Sequence, residues 1–137
     1  VANPLKLSLI LHSGAYDRVH HGLSIALSVL SLGGEARLLF TYWALPYVQK
    51  GSGTSAEVLH DGSVQQRILR QRLDEGHLRP IPDLIEDAVE LGGEMYACVG
   101  SMALLNIARE ELVDEIKGST GTASFMKGTE NGHLLFI

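Results

Sequence analysis

One thiol stands among 137 residues: Cys98, inside the stretch EMYACVGSMALLNIARE that runs from Glu94 to Glu110. It sits where a short apolar run gives way to a small residue and then to a helical pattern. A thiol just before a helix N-terminus feels the partial positive charge of unpaired backbone N–H groups, which favours the reactive thiolate. Gly100 and Ser101 would let those groups approach the sulfur closely. The same thiol also reads as a small buried hydrophobe, as free cysteines often are. A single cysteine forms no internal disulfide and no metal site built on cysteine pairs.

His12, His20 and His21 are the other side chains suited to proton or ligand chemistry. No HExxH-like spacing is present. His20 and His21 are adjacent, so on a helix they point about 100° apart and do not readily share one ion. The expectation is therefore no metal and no cofactor, with one of the three histidines tuning Cys98 as a cationic or hydrogen-bonding neighbour. Phe40, Tyr42, Trp43 and Tyr47 place half of the chain's eight aromatics within eight positions. Such a cluster walls a pocket or forms a subunit interface, where Tyr and Trp are enriched, or else packs ordinarily at the top of a strand. GSGTS, from Gly51, lacks the lysine and the strand-to-helix context of a phosphate loop. GSTGTAS, from Gly118 to Ser124, lies between a strand and a helix and offers N–H groups to an anion, with no second motif to support it. Arg67, Arg70, Arg72 and Arg79 read as a solvated face, with a partner surface as the alternative.

Periodicity places these residues. KLSLILH reads as a buried strand, Lys6–His12, closed by Ser13 and Gly14. A helix follows with Asp17 as N-cap, Leu23, Ala26, Leu27 and Leu30 inward, and Gly33–Gly34 as its stop. Ala36–Tyr42 is the second strand. SVQQRILRQRLDEG predicts a helix with Val64, Ile68, Leu69 and Leu73 inward. PIPDLIEDAVELGG predicts a stronger one, with Ile81, Leu84, Ile85 and Ala88 buried and Pro82 and Asp83 suited to its first turn. Met95–Val99 is the third strand, followed by a short helix with Ser101 as N-cap. A fourth strand near Glu115–Gly118, a short helix in TASFMKGT and a fifth strand in HLLFI complete the order.

Strands separated by helices imply right-handed crossovers and a parallel sheet covered on both faces. The fold class is α/β: a three-layer α/β/α sandwich on a five-stranded, mostly parallel sheet. Ligands of such sheets sit outside the carboxyl ends of the strands. His12, Ser13, Gly14, His20 and His21 after strand one, Tyr42 and Trp43 after strand two, and Cys98, Gly100 and Ser101 after strand three should all reach that edge.

The length suits one domain spanning 1–137. At 45% hydrophobic and 20% charged, the chain can bury a normal core. Its net charge of −5 argues against a direct nucleic-acid binder, which needs a basic stripe. No segment reaches the roughly 20 apolar residues of a membrane span, and the N-terminal run lacks the features of a signal peptide. A soluble, cytoplasmic protein is expected.

The strand and loop LSLILHSGAYD, the turn YACVGSM and the closing GSTGTASFMKGTENGHLLFI together resemble the DsrE/DsrF-like family. That family includes the TusD-type sulfur-relay subunits and peroxiredoxin-like proteins. The resemblance runs over essentially the whole chain, while the Arg-bearing segment from Gly51 to Arg79 departs from the TusD-type pattern. It implies a flavodoxin-like α/β/α fold and a cysteine after the third strand that accepts sulfur as a persulfide and passes it on. Cys98 occupies that place. It also implies sulfur donor and acceptor partners, and assembly as a homotrimer or homohexamer. The alternative is a non-enzymatic oligomeric or small-ligand-binding protein with Cys98 structural.

Overall fold

The face on which each helix lies follows from strand order and the handedness of the connections. In the computed structural model, which describes residues 4–51 and 63–137, five strands form one sheet. They are β1 (Lys6–Leu11), β2 (Glu35–Phe40), β3 (Glu94–Cys98), β4 (Ile116–Thr120) and β5 (His133–Phe136), ordered β4-β3-β2-β1-β5. All four pairings are parallel. From β1 to β4 the chain steps across the sheet in one direction, so right-handed crossovers stack their helices on one face. Those helices are α1 (Tyr16–Ser31), α2 (Val64–Asp74), α3 (Ile81–Glu90) and α4 (Val99–Leu105). The return from β4 to β5 crosses back over the whole sheet, which sends α5 (Thr122–Lys127) to the opposite face.

Side-chain parity divides the core accordingly. Leu7, Leu9, Leu11, Ala36, Leu38, Phe40, Met95 and Ala97 point toward α1 and α3 and form the main core with Tyr16, Val19, Leu23, Ile81, Ile85 and Ala88. The expected stripe of α3 is buried as read, because its four apolar residues fall on one side of the 3.6-residue turn. On the other face, Leu39 and Cys98 are buried beneath Phe125, with Ile10 and Tyr96 partly covered. A six-residue helix is only about 9 Å long, whereas five strands span about 19 Å. Among the described residues, much of the second face is therefore left uncovered by helix.

Several boundaries shift from their sequence-based positions. The N-cap of α1 is Ala15, whose N–H is accepted by Ser13 Oγ at 3.0 Å, and Asp17 lies in the first turn. Gly33, at φ +82°, turns the chain toward β2. β2 ends at Phe40 and not Tyr42, because residues 42–48 coil into a 3-10 segment around Pro46. β4 runs from Ile116 to Thr120, later than expected. In α2, Leu69 and Leu73 pack against the core, but Val64 and Ile68 are exposed. Five residues of helix rotate a side chain by about 140°, so the Val64–Ile68 and Leu69–Leu73 rows cannot both face inward.

Two buried tyrosines tie the loops to the first face. Ile81 N–H donates to Tyr16 Oη at 3.1 Å, and Tyr47 Oη donates to the Gly14 carbonyl at 2.8 Å. Burial raises both phenols above their ordinary value, with Tyr16 and Asp17 adding to the rise at Tyr47. The folded state thus holds these protons more tightly than the unfolded chain, whose phenols ionise near about pH 10. Stability should be intact below that pH and fall as pH rises beyond it. Urea midpoints between about pH 8 and 11 should show that fall in the wild type and a shallower one in the Tyr16→Phe/Tyr47→Phe double variant; equal slopes would refute the assignment.

Candidate functional site

The connection after β3 passes to one face and the connection after β4 to the other. A crevice at the carboxyl edge is expected where neighbouring strands diverge in this way. The last residues of those strands, Cys98 and Thr120, are paired in register. Cys98 itself caps α4, with β-region backbone angles (φ −76°, ψ 123°) and no side-chain cap. The strand therefore runs directly into the helix, and Val99 and Gly100 form its first turn. Ser101, expected as N-cap, lies inside α4 instead, because the cap falls three residues earlier, at Cys98.

Ser101 has a different task. It is buried, and its Oγ accepts the Tyr42 N–H at 2.8 Å. Tyr42 follows β2 with a left-handed backbone, φ +43°, which is costly for a residue with a bulky side chain. Thr41, just before it, donates both its N–H and its Oγ1–H to the Leu11 carbonyl, at 2.8 and 3.0 Å. The edges of β1, β2 and α4 are thus pinned to one another. Gly14 allows the same closeness, since a Cβ there would stand 2.9 Å from Trp43 Cβ.

The structure separates the histidines. His12 leaves β1 on the Cys98 face, its ring 4.7 Å from that of Tyr42 and 5.4 Å from that of Phe136. Two strand spacings of about 4.8 Å lie between β1 and β3, so roughly 10 Å of backbone separates His12 from Cys98. His20 and His21 lie in α1, on the opposite face, and line an open groove of about 560 Å³ with Asp17, Arg18, Leu69, Leu78 and Ile137. His20 Nε2 is 2.9 Å from the Arg79 carbonyl oxygen. The expected grouping of all three with Cys98 fails for these two, since the loop after β1 is only four residues long and α1 turns back at once. Among the described residues, no group of three or more His, Cys, Asp or Glu converges as a metal site would require.

The aromatic cluster also divides. Phe40 and Tyr47 belong to the core, whereas Tyr42 and Trp43 are exposed at the edge. The thiol is nearly closed off: Cys98 is 9% exposed, beneath Phe125. Toward the amino end of β2 and β3, where Arg37 pairs in register with Glu94, runs a charged network that sequence reasoning missed. Arg37 Nε lies 3.8 Å from Glu94 Oε1, and Lys117 also binds Glu94, whose carboxylate raises the lysine above its ordinary range. The signal was available in EARLLF, where an arginine stands among the apolar residues of a central strand. Of the other arginines, Arg72 pairs with Glu75 at 3.4 Å and Arg79 with Asp87 at 2.5 Å. In the glycine-rich stretch before α5, Gly121 caps the helix without a side-chain bond. The GSGTS loop falls almost wholly outside the described residues. Among them, no helix is long and apolar enough to cross a membrane.

The sequence matches the model of the DsrE/DsrF/DrsH-like family over residues 57–136. It is 24% identical to the uncharacterized protein YrkE of Bacillus subtilis, over 96% of this chain and 96% of YrkE. Two solved structures share the fold at low identity. The ychN protein from E. coli superposes with a TM-score of 0.68 and 12% identity, over 96% of this chain and 97% of its own. MTH1491 from Methanobacterium thermoautotrophicum, a protein of unknown function, gives a TM-score of 0.65 and 10% identity, over 97% and 99%.

The Ser101–Tyr42 bond gives a direct test of the edge. Ser101→Ala leaves the Tyr42 N–H without its acceptor and should cost about 1–3 kcal/mol. Urea unfolding at pH 7 should show a lower midpoint with an unchanged slope. A midpoint equal to wild type would mean that the bond does not hold the left-handed turn.

Proposed function

This chain belongs to the DsrE/DsrF/DrsH-like family, and from that premise we propose that it carries sulfur as a persulfide on Cys98. The observation that supports the reading most is the position of the sole thiol, at the carboxyl edge where the connections after β3 and β4 diverge. The Cys98 thiolate attacks the outer sulfur of a donor persulfide. A new S–S bond forms at Cys98 as the donor's S–S bond breaks, and the donor departs as a thiolate. Delivery repeats the exchange, with an acceptor thiolate attacking the outer sulfur and Cys98 leaving. No net oxidation or reduction occurs, so neither a second cysteine nor a cofactor is needed. Donor and acceptor are separate molecules, and a reducing cytoplasmic setting suits a free thiol. Nucleic acid has no direct part in this exchange.

A second reading has one specific observation in its favour. Cys98 is 9% exposed and packs with Leu39 and Phe125, as a structural cysteine does. In that case the protein is an oligomeric or small-ligand-binding protein without turnover.

The two readings part on sulfur uptake. Incubation with a persulfide-loaded donor should add sulfur mass to the wild type, while Cys98→Ser folds normally and takes up none. Equal uptake by the serine variant, or none by the wild type, would end the carrier reading.

Self-assembly, as a trimer or hexamer, is the other half of the proposal. Tyr42, Trp43, Leu134 and Phe136 are all exposed, Phe136 by 68%, in a region that α5 does not cover. Exposed apolar area on this scale favours contact with another surface. Sedimentation at micromolar concentration should give a multiple of the 14.8 kDa chain for the wild type and a smaller particle for Phe136→Glu. A monomeric wild type would overturn it.

A further inference from the structure

Among the described residues, Phe125 is the one member of the Cys98 cluster that comes from outside the sheet. It is 1% exposed and packs in one buried cluster with Leu39 and Cys98, which is 9% exposed. Its helix, α5, has six residues, and its N-cap, Gly121, makes no side-chain bond. A helix this short has no stability of its own and depends on whatever holds it down.

Besides the burial of Phe125 itself, that hold includes Arg37. The side chain rises from β2 on the same face, and its Nη1 donates to the Phe125 carbonyl at 3.1 Å. Its guanidinium carbon lies 4.6 Å from the Phe125 ring centroid and 5.6 Å from that of Tyr96, within range for cation–π attraction. Glu94 steadies it from behind. The space it occupies exists because residue 128 is glycine: a Cβ there would stand 2.1 Å from Arg37 Nη1. Gly128 has φ −78° and ψ −1°, angles open to any residue, so its role is room and not conformation.

We propose that α5 is a lid over Cys98 and Arg37 its latch, so that releasing the guanidinium lets Phe125 leave the sulfur. The purpose of such a lid rests on the reading of Cys98 as a carrier, since a thiol this enclosed meets a partner's persulfide only after the cover moves. The latch geometry stands independently of that reading.

The test reads thiol access and uses no sulfur donor. Two uncharged reagents are compared, methyl methanethiosulfonate as the small probe and a polyethylene-glycol maleimide as the bulky one. Neutral probes keep the loss of a positive charge from altering reagent approach. Arg37→Met keeps the apolar stem and removes the guanidinium; it should speed bulky labelling about tenfold, the loss of one charge-assisted contact. Gly128→Ala should do the same from the other side, by displacing Arg37, and should add little to Arg37→Met. Amide exchange then separates lid opening from general loosening. Protection should fall in α5, where the Phe125 N–H is bonded to the Gly121 carbonyl at 3.0 Å, and persist in β1 and β2. Unchanged bulky labelling in both variants would overturn the proposal, as would an equal loss of protection across α5 and β1. Labelling as expected with no sulfur uptake would leave the lid standing and remove the carrier; sulfur uptake with unchanged labelling would do the reverse.

Discussion

The handedness of the crossovers governs the rest of the molecule. Three connections in one direction place α1 to α4 on one face, and the single return places α5 on the other. The two faces are therefore unequal by construction. One carries a deep apolar core, with Leu9, Leu11, Leu38 and Phe40 fully enclosed. The other carries a thin cover over Leu39 and Cys98. Which side a strand residue joins is decided by parity alone, since neighbouring side chains alternate. Ala97 goes to the thick face and Cys98 to the thin one. A register slip of one residue would exchange them and bury the thiol under four helices.

A thin face cannot be held by apolar burial alone. Arg37, Glu94 and Lys117 form linked ion pairs on it. An arginine suits the position because its stem covers apolar surface while its planar head lies over Phe125 and Tyr96. The contacts are only partly enclosed, with 22% of the Arg37 side chain exposed, so water screens them and each is individually weak. Local opening costs far less where few apolar contacts must be broken. The same asymmetry leaves far fewer apolar contacts on the face that holds the sole thiol.

Most of the fold was legible because it rests on periodicity. The strands around Leu9, Leu38 and Ala97 and the stripe of α3 appear in the sequence as runs and spacings, and handedness then orders the first four strands. The site was less legible, for two physical reasons. Loop residues carry no period, so the adjacency of HSGAYDRVHH to strand one did not reveal that His20 and His21 turn onto the far face. Caps also depend on where the backbone first adopts helical angles, and Cys98 assumed a place for which Ser101 looked better suited. The position of β5 beside β1 could not be read from neighbouring elements, because it is set by the longest connection across the sheet. Since α5 lies on that connection, the cover over Cys98 was hidden with it.

A sulfur carrier faces opposed demands. The outer sulfur of a persulfide is open to attack by any thiolate it meets, so an exposed site would lose its load to small thiols before reaching an acceptor. A permanently buried site would neither load nor deliver. An apolar ring over the sulfur excludes solvent and small nucleophiles, but it serves a carrier only if it moves more easily than the core behind it. The arrangement around Cys98 has that gradient: fully buried leucines on one side of the sheet, and on the other a six-residue helix bound by a partly exposed arginine. Moving the thiol by one residue in either direction would lose it. At position 97 the side chain would enter the main core, and at position 99 it would lie half-exposed on the first turn of α4, as Val99 does. Of the three positions at this turn, 98 alone combines shelter with a cover that is weakly held.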